Sequence, residues 1–321
     1  MTQAAAAGEQ ASPTRAARLN RTPESLRAAI DAAHRLLSAA GVPSPRHDAE
    51  VLAAFVIGCP PARLPVAGDL SAGQRTVFAE LVARRESRIP LQHLTGSAGF
   101  RYLDLAVGPG VFVPRPETEV VAGWCIDALR MRAIDATDDA FPALVIDLCT
   151  GSGAIALSIA QEVKGTIVHA VEREDAAFTW AQRNVTGSRV VVHHADAATA
   201  LAELDGLVDL VVSNPPYLPE TQRADLEPEV RDHDPAAALW GGVDGLAGPS
   251  MIEPAARRLL RHGGLVAVEH ADDQGEAVAG MFRASGAWSA VVVRQDLAAR
   301  DRFVTARRDR SGVATGGEES S

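Results

Sequence analysis

The stretch "ALVIDLCTGSGAIALSIAQEV" (143–163) carries the clearest signal for the class of fold. It opens on an apolar run at 143–148 that is typical of a buried strand, passes through a turn with Gly151 and Gly153, and continues as a helical segment. A strand that leads through a glycine-rich turn into a helix opens many ligand-binding α/β folds, because glycine lets the backbone approach a ligand closely. The stretch therefore predicts a fold class and one side of a ligand site.

The second half of the chain repeats this alternation of strand and helix. Further strands are predicted within "GTIVHAVERED" (165–175), "SRVVVHHAD" (188–196), "VDLVVSNPPY" (208–217) and "GGLVAVEHAD" (263–272), with helical stretches near 174–184, 251–261 and 273–285. Such alternation predicts a Rossmann-like α/β fold, in which helices cover both faces of a parallel sheet. The last strands, near 288–295 and 302–307, have no convincing helix between them, so we expect an antiparallel hairpin at the sheet edge.

The first ninety residues have a different character. The segment "TPESLRAAIDAAHRLLSAAG" (22–41) has Thr22 as a predicted N-cap, apolar residues at helical spacing and Gly41 as a stop. We therefore predict a small N-terminal helical domain. The predicted order along the chain is a disordered tail (1–20), the helical domain (21–90), a connecting hairpin or linker (91–119), the α/β domain (120–308) and a polar tail (309–321).

Composition argues against several classes of protein. The formal net charge of −10 disfavours a protein that wraps nucleic acid, so no direct contact with nucleic acid is expected. No apolar run approaches the about 18 residues that a membrane span needs. The three cysteines, Cys59, Cys125 and Cys149, lack the paired spacing of a disulfide framework or a zinc site. We expect a cytoplasmic monomer without a metal.

Acidic residues surround the glycine-rich turn. Glu172 ends the next strand, about 20 residues on, where a carboxylate can bind ribose hydroxyls. The letters "GSGAIA" (151–156) also match the dinucleotide pattern G-x-G-x-x-A, so a nicotinamide dehydrogenase is a real alternative. Asp147 disfavours it, because a carboxylate beside the glycines would repel a pyrophosphate and attract an ammonium group. Asp196 either accepts a hydrogen bond from an adenine amino group or caps the following helix. Ammonium, ribose diol and adenine amine together describe S-adenosyl-L-methionine.

A stiff turn, "NPPY" (214–217), follows the fourth strand at the carboxyl edge of the predicted sheet, where ligands bind in such folds. Pro215 and Pro216 have no N–H group, so they offer only carbonyl acceptors, and Asn214 adds a side-chain carbonyl. The oxygens of Asn214 and Pro215 can bind both hydrogens of an –NH₂ group, while Tyr217 offers a flat face to a planar amide or base. An amide nitrogen is a weak nucleophile, so alignment at roughly 3–3.5 Å would dominate catalysis. A proline turn with Tyr217 in the core is the structural alternative.

Further motifs stand in a fixed order along the chain: "PLQHLTG" (90–96), "GVFVPRPETE" (110–119), "EPEVRDHDPAAALWGGVDGL" (227–246) and "DLAARDRFVTARR" (296–308). Together with "DLCTGSGAIAL" and "SNPPY", they resemble the release factor glutamine methyltransferases over about residues 22–308. That family modifies the side-chain amide of the glutamine in the GGQ motif of peptide-chain release factors.

The resemblance implies a function and a set of site residues. It implies transfer of a methyl group from S-adenosyl-L-methionine to the N5 nitrogen of that glutamine, release factors as partners, a class I methyltransferase sheet, and a helical domain that helps to recognise the protein substrate. Catalysis and substrate binding are expected at Asn214, Pro215, Pro216 and Tyr217, with Glu119 in the substrate pocket. Donor contacts are expected from Asp147, Cys149, Thr150, Gly151, Ser152, Gly153, Glu172, Asp196 and Asn214, under a cover of Phe100, Phe112, Pro114 and Arg115.

Other interpretations use the same motifs. Methylation of adenine N6 in nucleic acid is the main alternative, and the acidic charge and the lack of a recognition domain argue against it. A scaffold without activity is disfavoured by the intact motifs. Arg115 and Glu119 are as easily a structural ion pair, and Cys149 is predicted to be a packing residue. His193 and His194 face opposite sides of a strand and make a poor metal pair, and "GGVDGL" (241–246) resembles a calcium loop only faintly.

Overall fold

The computed structural model describes residues 25–135 and 142–309. The predicted tail at 1–20, the predicted N-cap Thr22 and nearly all of the predicted tail at 309–321 lie outside these ranges. The chain divides after Thr95 into two compact units, Met1–Thr95 and Gly96–Ser321. The division falls within the predicted linker, and the predicted domain boundaries at 90 and 119 stay predictions.

The first unit is helical. Its helices are α1 (Leu26–Ala39), α2 (Pro45–Ile57), α3 (Ala72–Glu86) and α4 (Leu91–Thr95), with a 3₁₀ segment at Pro61–Val66. α1 begins at Leu26 because Ser25 has extended backbone and its hydroxyl accepts a hydrogen bond from Ala28 N at 3.2 Å. The helix therefore has its N-cap three residues after the predicted one. A buried ion pair between Asp48 and Arg85 (2.7 Å) joins α2 to α3 inside this unit.

The second unit is built on a seven-stranded sheet. Its strands are β3 (Leu144–Leu148), β4 (Ile167–Glu172), β5 (Val191–His194), β6 (Val208–Ser213), β7 (Leu260–Glu269), β8 (Trp288–Gln295) and β9 (Asp301–Arg308), and a separate hairpin of β1 (Ser97–Phe100) and β2 (Leu103–Ala106) precedes them. The strand order is β5-β4-β3-β6-β7-β9-β8. β3 to β7 run parallel, while β9 is antiparallel to both of its neighbours. The predicted antiparallel hairpin at the sheet edge is confirmed.

Helices connect the strands and cover the sheet. They are α5 (Thr118–Asp135), α6 (Ala154–Glu162), α7 (Asp175–Val185), α8 (Pro228–His233), α9 (Ala236–Leu239), α10 (Ala247–Leu259) and α11 (Gly275–Ala284), with 3₁₀ segments at Ala202–Leu204 and Glu220–Asp225. Among the described residues, no helix is both long and apolar enough to cross a membrane.

Two apolar cores lie on opposite faces of the sheet. Successive side chains of a strand point to opposite faces, so Val145 packs with α5 and α6, and Ile146 packs with α10 and α11. All six residues of β6 are buried, as expected for a central parallel strand covered on both faces. This arrangement confirms the predicted α/β class.

The strand order places two loops together. From β3 the sheet grows in one direction through β4 and in the other through β6, so the order reverses between β3 and β6. Open α/β sheets bind ligands at such a reversal, outside the carboxyl ends of the strands. The glycine-rich turn follows β3 and the Asn-Pro-Pro-Tyr turn follows β6, so the fold brings the two predicted motifs to the same crevice.

Candidate active site

Asp147 holds the glycine-rich turn from inside the protein. Its Oδ2 accepts hydrogen bonds from Thr150 Oγ1 (2.6 Å) and Ala156 N (3.1 Å), which ties the turn to the start of α6. The carboxyl group is completely buried, and this burial raises the pKa of Asp147 to about 7. The residue therefore shapes the turn rather than facing a ligand.

The backbone of this turn is left-handed at alternate residues, Cys149 (φ 60°), Gly151 (φ 58°) and Gly153 (φ 85°). Glycine adopts this conformation readily, whereas Cys149 is strained in it. A Cβ atom built on Gly151 would meet no other atom within 4 Å, so open space lies beside the backbone there. Asn184 on α7 fixes the far side of the turn, because its Nδ2 donates to Ser152 O at 2.9 Å.

Two carboxylates stand after the neighbouring strands. Glu172 ends β4, and its carboxylate accepts hydrogen bonds from Gly151 N (2.9 Å) and from two backbone N–H groups of the next loop. Asp196 follows β5, and its Oδ1 accepts a hydrogen bond from Ala198 N at 2.8 Å. This hydrogen bond closes a turn, because no helix begins directly after Asp196 in this described part of the chain, so the helix-capping alternative is not realised. Asp196 lines the cavity.

The Asn-Pro-Pro-Tyr turn is connected to a buried acid at the end of β7. Tyr217 Oη donates a hydrogen bond to Glu269 Oε1 (3.2 Å), and Thr118 Oγ1 donates to the same oxygen (3.2 Å). Asn214 Nδ2 donates to Thr118 Oγ1 (3.3 Å). Burial raises the pKa of Glu269 to about 7, and burial beside Glu269 raises the pKa of Tyr217 well above its usual value. One acid therefore holds both functional ends of the turn.

Glycines support the same turn from behind. A Cβ atom on Gly248 would lie 2.2 Å from Pro216 O, and one on Gly245 would lie 2.3 Å from Tyr217 O. Such distances are shorter than any van der Waals contact, so no larger residue fits while the turn keeps its place. Gln274 Nε2 donates a hydrogen bond to Tyr217 O at 2.9 Å. The backbone of the turn is therefore enclosed on this side.

The stretch before α5 covers the crevice. Phe112, Pro114 and Arg115 line it, and the guanidinium of Arg115 lies 4.9 Å from the centre of the Phe112 ring. Arg115 Nη2 forms an ion pair with Asp234 Oδ2 at 2.5 Å, and the Asp234 side chain is buried. The partner of Arg115 is thus Asp234 and not Glu119, and the pair joins the cover to the loop between α8 and α9.

These elements enclose one cavity of about 280 Å³. Of the residues predicted from the sequence, it is lined by Phe112, Pro114, Arg115, Cys149, Thr150, Gly151, Ser152, Glu172, Asp196, Asn214, Pro216 and Tyr217. Carboxylates and the backbone of the turn occupy one side, and the amide of Asn214 occupies the other. Such a cavity suits a ligand with ribose hydroxyls and an amino-bearing base, next to a group that presents –NH₂.

Comparison with known proteins identifies the family. Residues 28–96 match a model described as the PrmC N-terminal domain, and residues 129–227 match the methyltransferase small domain. Over 283 residues the chain is 53% identical to the release factor glutamine methyltransferase of Streptomyces coelicolor. The aligned region covers 88% of this chain and 98% of that protein. The chain belongs to the release factor glutamine methyltransferase family.

Other similar proteins show the range of this fold. The chain is 38% identical over 263 residues to the 4-amino-L-phenylalanine/4-methylamino-L-phenylalanine methyltransferase of Streptomyces pristinaespiralis, with 81% of this chain and 88% of that protein covered. The solved hMettl16 catalytic domain in complex with MAT2A 3′UTR hairpin 6 shares the fold at a TM-score of 0.51 and 15% identity, over 73% of this chain and 83% of that one. This release factor glutamine methyltransferase family member is an S-adenosyl-L-methionine-dependent methyltransferase, which confirms the predicted fold, activity and cofactor.

Some residues predicted for the site of this family member do not line the cavity. Asp147 lies beneath the glycine-rich turn, Gly153 is buried at the start of α6, and Pro215 is buried within its own turn. Glu119 accepts a hydrogen bond from Arg101 N (3.1 Å), which places it at the β1–β2 hairpin. We therefore leave Glu119 out of the substrate pocket.

Phe100 is a further correction to the predicted cover. Its side chain is only 1% exposed and belongs to the core between the sheet and α5. The cover predicted from the sequence is therefore formed by Phe112, Pro114 and Arg115 without it.

Several site residues were missed by reasoning from the sequence. Thr118 and Glu269 reach the Asn-Pro-Pro-Tyr turn. Thr118 lies in a motif that was quoted only for the resemblance, and Glu269 lies in a stretch that was quoted only as a predicted strand. The motif "GGVDGL" (241–246) resembles a calcium loop faintly, whereas Gly241 and Gly245, together with Gly248, pack on the carbonyls of the turn in the segment 241–248. The spacing of those glycines was the available signal, because glycines without a turn type to explain them often mark close backbone approach.

The remaining polar candidates have structural contacts. His193 Nε2 lies 2.8 Å from His169 Nδ1 on β4, whereas His194 Nε2 lies 2.9 Å from Arg173 O. The two adjacent histidines therefore have different partners and do not form a metal pair. Burial raises the pKa of the Cys149 thiol to about 12, which keeps it neutral. In the described ranges, no three His, Cys, Asp or Glu side chains are grouped so as to hold a metal ion.

Proposed function

We propose that this enzyme transfers the methyl group of S-adenosyl-L-methionine to the N5 amide nitrogen of the glutamine in the GGQ motif of peptide-chain release factors. The observation that carries the proposal is the position of the Asn-Pro-Pro-Tyr turn, which lines the same cavity as Glu172, Asp196 and the glycine-rich turn. Family membership supports the same substrate.

The residues on the donor side fit the proposed ligand. Glu172 and Asp196 supply acceptors for ribose hydroxyls and an adenine amine, and the backbone at Gly151 leaves space for close approach. When bound, S-adenosyl-L-methionine supplies an electrophilic methyl group on a sulfonium sulfur. The chain has only to hold that methyl group in line with a nitrogen, because the leaving sulfur takes the electron pair of the broken bond.

The substrate side orients the amide. Asn214 Oδ1 accepts one hydrogen of the glutamine –NH₂. The backbone carbonyl of Pro215 is proposed as the second acceptor, although the residue is buried and does not line the cavity of the free enzyme, so that the substrate nitrogen faces the methyl group. The carbonyls of Pro216 and Tyr217 pack instead against Gly248 and Gln274, which supports the choice of Pro215. Tyr217, held through its hydroxyl, presents its ring to the planar amide. Transfer forms the N–C bond and releases one N–H proton, which passes to solvent.

The partner and setting follow from this substrate. We propose that the helical first unit helps to recognise the release factor, that the enzyme works as a cytoplasmic monomer, and that it needs no nucleic acid. The net charge of −10 supports the last point, since backbone phosphates are bound by basic surfaces.

The test uses the purified enzyme with labelled S-adenosyl-L-methionine and a release factor from the same cell. A Gln→Ala variant of the GGQ motif, duplex DNA and free 4-amino-L-phenylalanine serve as alternative substrates, and mass spectrometry locates the added methyl. We expect label on the intact factor alone. Label on DNA would instead support adenine methylation, and label on the aryl amine alone would assign the enzyme to the chemistry named for its Streptomyces pristinaespiralis relative.

A further inference from the structure

We propose that Thr118 and Glu269 are positioning residues that fix the direction of the Asn214 amide, with its carbonyl oxygen turned into the cavity. The consequence for catalysis rests on the proposed function, whereas the orientation itself can be tested without any substrate. Nothing in the Asn-Pro-Pro-Tyr motif itself decides this direction, because an asparagine amide can rotate and present either its oxygen or its –NH₂ group.

The direction follows from which groups carry protons. When Glu269 is ionised, its carboxylate only accepts hydrogen bonds, so Thr118 Oγ1 must donate its proton to Glu269 Oε1 at 3.2 Å. The hydroxyl oxygen then has only lone pairs left for Asn214. The group 3.3 Å away must therefore be the donor Nδ2, and the carbonyl Oδ1 is turned away from Thr118. Asn214 lines the cavity, so its free acceptor faces the proposed substrate.

The alternative direction would harm the proposed reaction. If the Asn214 –NH₂ group faced the cavity, its N–H donors would point at the N–H donors of the glutamine amide. The substrate nitrogen would then lose one of its two hydrogen-bond acceptors. Glu269 prevents this through Thr118, and the same carboxylate oxygen accepts the Tyr217 hydroxyl at 3.2 Å. One buried acid, Glu269, thus fixes the orientation of the Asn214 amide and the position of the Tyr217 ring.

The burial of these groups makes the arrangement rigid. Glu269 has no exposed surface and Thr118 is 4% exposed, so water does not compete for their hydrogen bonds. They come from different elements, Thr118 from the start of α5 and Glu269 from the end of β7, which come together beside the Asn-Pro-Pro-Tyr turn.

The first measurement needs no substrate. The sequence contains three asparagines, Asn20, Asn184 and Asn214, so labelling with ¹⁵N-asparagine gives three side-chain –NH₂ signals in an NMR spectrum. In Thr118→Val, we expect the Asn214 signal to lose the shift and the slow exchange of a hydrogen-bonded N–H, while the Asn184 signal is unchanged. Thr118→Ser, which keeps a hydroxyl, should retain the wild-type signal.

The second measurement uses methyl transfer to a release factor. Thr118→Val should lower kcat about 100-fold, the loss typical of a misaligned reacting group, with the Kd for S-adenosyl-L-methionine unchanged. Thr118→Ser should restore most of kcat. Thr166→Val is the matched control, because Thr166 is also buried and donates a hydrogen bond, to Val163 O, away from the cavity. We expect it to leave kcat and the Asn214 signal unchanged.

The outcomes separate the two proposals. An Asn214 signal that is identical in wild type and Thr118→Val would overturn the positioning role, as would a kcat loss equal to that of Thr166→Val. If the wild type methylates no release factor, the proposed function fails, while the NMR comparison still decides the direction of the amide.

Discussion

Two asparagines on either side of the crevice have different tasks. Asn184 makes three hydrogen bonds to backbone, to Ala106 N (2.8 Å), Ala106 O (3.0 Å) and Ser152 O (2.9 Å), and so joins the β1–β2 hairpin to the glycine-rich turn. Asn214 makes one side-chain hydrogen bond, to Thr118, and otherwise faces the cavity. The first residue serves the fold and the second serves the proposed substrate.

This contrast predicts opposite results for two matched substitutions. Asn214→Ala should lower kcat by about 10²–10³-fold, because a preorganised hydrogen-bonding group at the reacting centre is lost. Its melting temperature and its Kd for the donor should stay near those of wild type. Asn184→Ala should lower the free energy of unfolding by about 1–3 kcal/mol, since buried backbone groups lose their partner. Calorimetry and transfer kinetics on both variants would check this, and equal kcat losses would contradict it.

The raised pKa of Glu269 predicts that activity depends on pH. Burial raises its pKa to about 7, Arg302 on β9 opposes this rise, and Glu117 adds to it. Below that pH the carboxyl is protonated, can donate to Thr118 and no longer dictates the direction of the Asn214 amide. We expect wild-type kcat to rise between about pH 6 and about pH 8, and this rise to be absent in Glu269→Gln.

The control for this prediction is Glu253→Gln. Glu253 is also buried and accepts a hydrogen bond from an aromatic side chain, Trp288 Nε1 at 2.7 Å, but it lies outside the cavity. It should keep the wild-type profile. The Kd for the donor is measured at each pH, because Asp147 also has a pKa raised to about 7 and would act through the donor turn. A full rise in Glu269→Gln would refute the assignment.

The segment 241–248 shows how one element supports another. Its glycines lie against the carbonyls of Pro216 and Tyr217, and Gly248 stands in the first turn of α10. Backbone packed on backbone leaves no room for a side chain, so the turn can move in this direction only if α10 moves with it. The rigidity that alignment of a weak nucleophile needs is supplied here by packing.

Gly248→Ala should therefore lower stability and activity together. The added methyl group would lie 2.2 Å from Pro216 O and 3.0 Å from Pro215 Cβ, so the turn must shift. We expect a loss of about 1–3 kcal/mol in the free energy of unfolding and a kcat at least about tenfold lower. Gly280→Ala is the control, because a Cβ atom there meets nothing within 4 Å in α11, and it should be neutral or stabilise by about 0.5–1 kcal/mol. If Gly248→Ala had the kcat of wild type, the prediction would be wrong, because the turn would tolerate displacement.

Two histidines on the adjacent strands β4 and β5, His169 and His193, predict that the protein is less stable at acidic pH. Burial lowers the pKa of both His169 and His193, and in His169 the neighbouring His193 lowers it further. The unfolded chain therefore binds more protons than the folded one below about pH 6.5, and the free energy of unfolding falls as the pH drops. Thermal melts at about pH 7.5 and about pH 5.5 should show a smaller loss for the His169→Gln/His193→Gln double variant than for wild type. His47→Gln, at an exposed position in the first unit, should behave as wild type.

At the scale of the molecule, the chain divides after Thr95 into two units, for which we expect two different tasks. Every residue that lines the cavity lies in the second unit. The first unit has its own buried core and its own buried ion pair. We therefore expect donor binding and chemistry to be properties of the second unit, which leaves the first unit for the proposed recognition of the protein substrate.

A chain that starts at Gly96 tests this division of tasks. It should bind S-adenosyl-L-methionine with wild-type Kd and methylate a short GGQ peptide with the wild-type rate. Its kcat/KM for the intact release factor should fall at least about tenfold, the equivalent of about 1.4 kcal/mol of lost binding. Circular dichroism would confirm that the shortened chain is folded. An unchanged kcat/KM for the intact factor would contradict the recognition role.

The sequence predicted more of the fold than of the site. The strands of the sheet and the edge hairpin were found from periodicity, because alternation of apolar runs is local information. Asp147 shows the limit, since its place before the glycines suggested contact with an ammonium group and the structure turns it beneath them. Glu119, which the resemblance placed in the substrate pocket, accepts a hydrogen bond from Arg101 N, 18 residues away, and no local pattern contains such a contact.

The pattern of residues was enough to predict the class of fold, the two turns that carry the chemistry and, through the resemblance, the family. Which atoms of those turns face the cavity followed only from contacts in three dimensions. Thr118 and Asn214 are 96 residues apart, and Tyr217 and Glu269 are 52 apart. Their hydrogen bonds exist because β6 and β7 are neighbouring parallel strands whose carboxyl ends meet, and α5 begins beside those ends. The direction of each hydrogen bond depends on residues that are far apart in the sequence, so no local sequence pattern can predict it.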